Sequence, residues 1–173
     1  MFSDRELSDA VAAVRAEHAP DALVLDCERD FETLPPAQAE ELGLVTESLD
    51  PASYPDEWLP ADAPDLLRRY ASDELTVGAP GDGGVAWTHQ TVPPVVLVKP
   101  RLTGSPDAFV DFLLAEALVE AGLDEPEHFL GFFEASYRDL AAAVGDRLDP
   151  VGTYQLAAAL YDAYLGLQTR EAF

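Results

Sequence analysis

Four residues in one short span have types and spacing that could do chemistry: His89, Lys99, Arg101 and Ser105. Lys99 and Arg101 are two positions apart, so an extended backbone running through Pro100 puts both on one face. Ser105 opens a predicted helix, and the free N–H groups of a helix start favour anions. His89 falls on a neighbouring predicted strand. Together they offer recognition of a small anion, at the one locally basic place on a very acidic chain. The competing reading is structural: the two cations pair with nearby carboxylates or guard a sheet edge.

A second candidate is Glu116, inside an apolar helix with Phe109, Phe112 and Leu113 at helical spacing. Buried and unpaired, its carboxyl would titrate high and could act as a general acid or base. An arginine such as Arg138 or Arg147 would make it a structural pair instead. Glu125-Pro126-Glu127-His128 contains the Glu-x-x-His spacing of di-iron bundles. Such sites need two copies and two further glutamates, so one copy predicts no metal. The chain has no Cys-x-x-Cys, His-Glu-x-x-His, Gly-Lys-[Ser/Thr] or Gly-x-Ser-x-Gly pattern, and neither a cofactor nor a catalytic residue is expected. Cys27 is the only cysteine, which excludes an internal disulfide.

The elements that must position these residues begin with Ser105–Gly122. Ser105-Pro106-Asp107 reads as a helix start and Gly122 as a left-handed stop. Apolar residues cover most of its circumference, as in a core helix. Before it, Ser3-Asp4-Arg5-Glu6 has the form of a capping box, with Phe2 and Leu7 as the staple, and predicts a helix over 4–18. Leu23, Cys27, Phe31 and Leu34 recur at helical spacing and favour a second helix, with a strand at Leu23-Val24-Leu25 as the alternative. A short helix follows to Leu42. Prolines 51, 55 and 60 make 44–63 irregular. Another short helix starts at Pro64.

Leu75–Gly78, Val85–Thr91 and Val95–Lys99 then read as three strands with short links, and Pro80–Gly84 as a turn between them. Short links predict a three-stranded antiparallel meander. The unbroken Val95–Val98 run predicts burial on both faces. After the core helix, one helix opens at Pro126 and carries Phe129, Phe133, Ser136, Leu140 and Val144; a last one is capped by Asp149-Pro150. The expected fold is α+β: a mostly helical single domain, with helices and a Pro-rich loop over 1–73. A three-stranded antiparallel β-meander over 74–101 packs on a C-terminal three-helix bundle over 105–170.

The charge bears on habitat. Ten basic residues face 33 acidic ones, the net charge is −23, and Lys99 is the only lysine. The acids are dispersed rather than gathered on one face or in a calcium loop. Dispersal with almost no lysine suits a cytoplasm of molar salt, where screening over about 3 Å relieves self-repulsion. It excludes nucleic-acid binding, which needs a basic footprint. No apolar run is long enough for a membrane span, and the N-terminus has no signal-peptide pattern. A cytoplasmic protein is expected.

Ser105-Pro106-Asp107-Ala108-Phe109-Val110-Asp111-Phe112, Leu49-Asp50-Pro51-Ala52-Ser53-Tyr54-Pro55 and the general style of the chain resemble uncharacterised proteins of haloarchaea. The resemblance implies no activity and no functional residue. The leading expectation is a non-catalytic binding or protein-interaction module. Tyr154, Tyr161 and Tyr164, on one side of the last helix, could form a homodimer seam. The alternative is an enzyme or sensor that holds a small anion at Lys99 and Arg101, with His89 and Ser105.

Overall fold

The computed structural model describes residues 1–76 and 83–172. Along them run β1 (Phe2–Asp4), α1 (Asp9–His18), β2 (Leu23–Cys27), β3 (Thr33–Leu34), α2 (Pro36–Glu41), β4 (Ser48–Leu49) and α3 (Asp65–Tyr70). Then come β5 (Leu75–Thr76), β6 (Val85–Thr88), β7 (Thr91–Val92), β8 (Val95–Val98), α4 (Asp107–Ala121), α5 (Phe129–Phe133), α6 (Ser136–Val144) and α7 (Pro150–Thr169). The fold is α+β, and none of the described helices is long and apolar enough to cross a membrane.

The main sheet is mixed, in the order β1-β2-β8-β6. β2 and β8 run parallel, with Leu23 opposite Val95 and Asp26 opposite Val98, and the two outer strands are antiparallel to them. Two small antiparallel pairs, β3 with β5 and β4 with β7, stand apart from it. β8 is the hub. All four of its residues are buried, as the unbroken run predicts. Val95 and Leu97 join a cluster with Phe2, Leu25, Leu34, Ala39 and Leu75, whereas Val96 and Val98 join a cluster with Val11, Trp87, Leu114 and Leu118. The period of two along a strand thus divides one run between two cores.

This arrangement corrects the expected meander. β8 has a parallel partner from the N-terminal region, and β5 pairs with β3 instead of β6. A strand buried on both faces needs hydrogen-bonding neighbours on both edges, and β2 supplies the second. The 23–34 region is therefore a strand followed by loop and β3. The predicted strand over Leu75–Gly78 is described at Leu75–Thr76 only. Residues 80–82 of the predicted turn lie outside the described residues.

The expected C-terminal three-helix bundle is also absent. α4 packs chiefly on α1 and on β6, with lesser contact to α7. The helix predicted from Pro126 to Val144 is two helices, α5 and α6, separated at Glu134, whose φ of 51° lies where L side chains rarely go. Near the N-terminus, Phe2–Asp4 pairs with β2 rather than starting a helix. Ser8, not Ser3, caps α1, accepting from the N–H of Val11 at 3.3 Å. Gly122 has φ −81°, so it is no left-handed stop. Its role is steric: a Cβ there would sit 2.2 Å from the His18 carbonyl oxygen, at the crossing of α1 and α4. The Asp149 cap is as predicted, with Oδ1 accepting from the N–H of Gly152 at 2.7 Å.

Candidate functional site

Lys99 follows β8 and is 1% exposed. Its Nζ lies 3.7 Å from Asp30 Oδ1. Arg101, in the 3-10 turn after β8, donates through Nε to Asp30 Oδ2 at 2.7 Å and also meets it through Nη2. One carboxylate, 71 residues earlier in the chain, thus serves both cations. Ser105 shares a pocket with Lys99 but makes no helix cap: α4 starts after Pro106 without any side-chain cap. Cys27 lines the same pocket, and burial pushes its thiol up to about 12. His89 is elsewhere. It follows β6, where its Nε2–H donates to the Ala121 carbonyl at 2.6 Å and ties the strand end to the end of α4. Lys99 thus meets Arg101 at Asp30 and shares a pocket with Ser105, Arg101 is not part of that pocket, and His89 is left out.

His89 leads to a different site. Its backbone N–H donates to Glu127 Oε2, while Thr88 Oγ1, at 2.8 Å, and Gln90 Nε2 donate to Glu127 Oε1. Burial raises the Glu127 pKa, against these three donors, which lower it. Glu127 is one wall of a pocket of about 90 Å³ that four elements build. β6 supplies Trp87. α4 supplies Leu113, Glu116, Ala117 and Glu120, the i, i+3, i+4, i+7 stripe of one helix face. The start of α5 supplies His128 and Phe129, and α7 supplies Tyr161 and Asp162. Trp87 Nε1 donates to Glu120 at 2.9 Å, which fixes both groups.

The floor is neutral and deeply buried. His128 stacks with Tyr70 at 4.6 Å and Tyr54 at 6.0 Å between ring centroids. Burial alone lowers its pKa to about 3. The N–H of Leu130 donates to its Nδ1 at 3.1 Å, so the neutral ring carries its hydrogen on Nε2. That Nε2, and the hydroxyl of Tyr161, have no hydrogen-bond partner among the described residues. Burial also raises the Tyr161 pKa, so the hydroxyl keeps its hydrogen. His128 and Tyr161 both line the pocket, and each holds a buried donor with no partner among the described residues. No group of three or more His, Cys, Asp or Glu side chains among the described residues is placed to hold a metal.

Glu116 was visible in the sequence; Trp87, Glu127 and Tyr161 as its neighbours were not. Neither Arg138 nor Arg147 reaches it in this pocket. The α4 stripe was the available signal, since it sets Glu116 and Glu120 a turn apart between apolar neighbours. Of the three tyrosines expected at a homodimer seam, Tyr154 and Tyr161 are buried, and Tyr164 is half-buried and donates to Glu125 at 2.8 Å. The exposed large apolar residues of α7 are Val151, Leu160 and Leu167.

The whole chain, residues 1–173, matches a family of unknown function (DUF7089), and the protein belongs to that family. No curated protein and no solved structure matches the chain.

Proposed function

We propose that this member of the DUF7089 family is a non-catalytic binding module of a salt-rich cytoplasm, and that it takes a small polar ligand in the pocket of Trp87, His128 and Tyr161. One observation carries the reading: two residues that line the same pocket, His128 and Tyr161, each hold a buried donor, Nε2 and Oη, without a partner among the described residues. Each such group costs a fold about 1–3 kcal/mol. A ligand acceptor would remove that cost, so the affinity is stored in the apo protein. Cys27 and His128 are tuned away from nucleophile and base chemistry, the first by a raised pKa and the second by a lowered one. An anion at Lys99 and Arg101 would have to compete with Asp30, already in place.

The salt-rich setting draws support from the surface. The single lysine is buried, so the exposed charge is arginine and a large excess of carboxylate. Raising KCl from about 0.1 to about 2 M, which shortens the screening length from about 10 Å toward the molar limit of about 3 Å, should raise the thermal midpoint by several degrees. An unchanged or falling midpoint overturns that part.

Thermal unfolding in about 2 M KCl tests the pocket, with a panel of amines, amides, polyols, carboxylates and phosphates on wild type and on Tyr161→Phe. A true ligand at a hundred times its Kd adds about 2.7 kcal/mol, several degrees for a chain of this size. The variant should lose most of that shift. Silence across the panel, or equal shifts in both proteins, overturns the reading.

A further inference from the structure

The lining of the pocket divides into two layers. Glu116 and Glu120 on α4, Asp162 on α7 and Glu127 are the formally charged residues that line it among the described residues, and all are acidic. Glu116 and Glu120 are half-buried and Asp162 is exposed, whereas Trp87, His128, Phe129 and Tyr161 of the same lining are buried, and His128 and Tyr161 hold the two donors without a partner among the described residues. Glu116 and Glu120 are both negative and one turn apart, an arrangement that is unfavourable by itself. Carboxylates and aromatic rings in one lining favour a cation. The described residues place no three acidic or histidine side chains for a metal, so the cation is organic. The buried donors call for a neutral acceptor, which an ether, hydroxyl or carbonyl oxygen provides. A space of about 90 Å³ is several-fold more than the roughly 10–15 Å³ one water requires, and too little for a peptide side of an interface.

We infer that the pocket takes a small organic cation with one oxygen acceptor, its charge beside Glu116 and Glu120 and its oxygen toward His128 and Tyr161. This rests on the pocket being the recognition site proposed above. It makes the acidic mouth a specificity device as well as part of a salt-adapted surface. It also assigns different work to the layers: the mouth selects charge and the floor selects the acceptor.

The probes are choline and ethanolamine, set against the uncharged isostere of choline in which carbon replaces the quaternary nitrogen. Calorimetric titration in about 2 M KCl keeps weak surface attraction screened. The cations should bind, and the isostere should bind about tenfold more weakly, the loss of one cation–aromatic contact. Glu116→Gln, a half-buried position at the mouth, should weaken the cations about three- to fivefold and leave the isostere unchanged. Tyr161→Phe should weaken cation and isostere alike. An isostere as tight as choline overturns the inference while the pocket stands as a binding site. Cation binding that neither variant changes overturns it as well, because the ligand then sits elsewhere. If no cation binds, the inference falls, and responses to the amides or polyols of the earlier panel decide whether the pocket reading falls with it.

Discussion

Asp30 draws Lys99 and Arg101 to itself, whereas His128 and Tyr161, which line a different pocket, hold buried donors that no described residue meets. The two regions differ in charge, and charge sets what a fold can leave open. An unpaired buried ammonium costs many kcal/mol, so a carboxylate is fixed beside it. An unpaired neutral donor costs about 1–3 kcal/mol, which a domain stable by about 5–15 kcal/mol can carry. The residues that look most reactive in the sequence are thus closed within the protein. The neutral residues it hides are the ones left to meet a ligand.

The charged side of this contrast should give the largest effect. Asp30→Ala leaves Lys99 buried beside no carboxylate of its own pair, and should destabilise by about 2–3 kcal/mol. That is at or below the roughly 3–5 of a fully buried pair, because Asp30 is 38% exposed and solvent screens it. Adding Lys99→Met should restore most of the loss, since a buried apolar chain asks for no partner. Denaturant unfolding of both variants checks this. A neutral Asp30→Ala would mean that Lys99 does not depend on Asp30, and the contrast between the regions would fail.

The next effect is about 2 kcal/mol and belongs to the pocket floor. The folded pKa of His128 lies at about 3, below the ordinary value of 6.5. Between those values the unfolded chain holds a proton that the folded chain lacks, so stability is lost as pH falls from about 6.5 toward 3. At pH 5 the loss amounts to about 2 kcal/mol, at roughly 1.4 per pH unit. Glu127 acts with the opposite sign. Its raised folded pKa contributes stability at low pH that is lost as pH rises through that pKa. The many surface carboxylates also repel less when protonated. The informative quantity is therefore wild type minus His128→Phe across this range. A difference independent of pH would show that His128 is not held neutral.

How much of this could be read in the sequence follows from how local each feature is. The cap at Asp149, the α3 start after Pro64 and the double burial of Val95–Val98 depend on neighbours within a turn or a strand, and all were legible. β2 was not, because Leu23, Cys27, Phe31 and Leu34 satisfy a helical period that its pairing with β1 and β8 overrules. Ser3–Glu6 fits a capping box, yet Phe2 opposite Cys27 makes a ladder that offers more hydrogen bonds than a cap. Lys99 and Arg101 announced themselves by spacing, while their partner Asp30 had no signal. The pocket runs from Val85 to Asp162 over four elements, so its parts had only their own local patterns. Glu125-x-x-His128 drew attention to a metal, but Glu125 meets Tyr164 and His128 takes the N–H of Leu130.

The smallest effect separates the two kinds of polar group within one helix. Tyr161 and Tyr164 are three residues apart on α7 and both touch Phe132. Tyr164 donates to Glu125, and that bond is the first cause of its raised pKa; Tyr161 is raised by burial first. Removing the hydroxyl of Tyr164 deprives a carboxylate of a donor, so Tyr164→Phe should lower the denaturation midpoint. Removing the hydroxyl of Tyr161 deletes a buried group with no partner among the described residues, so Tyr161→Phe should change stability by less than about 0.5 kcal/mol or raise it. The same variant should lose the ligand response. Stability kept with binding lost is what a group reserved for a ligand predicts; a clear loss of stability in Tyr161→Phe would place that hydroxyl among the structural bonds instead.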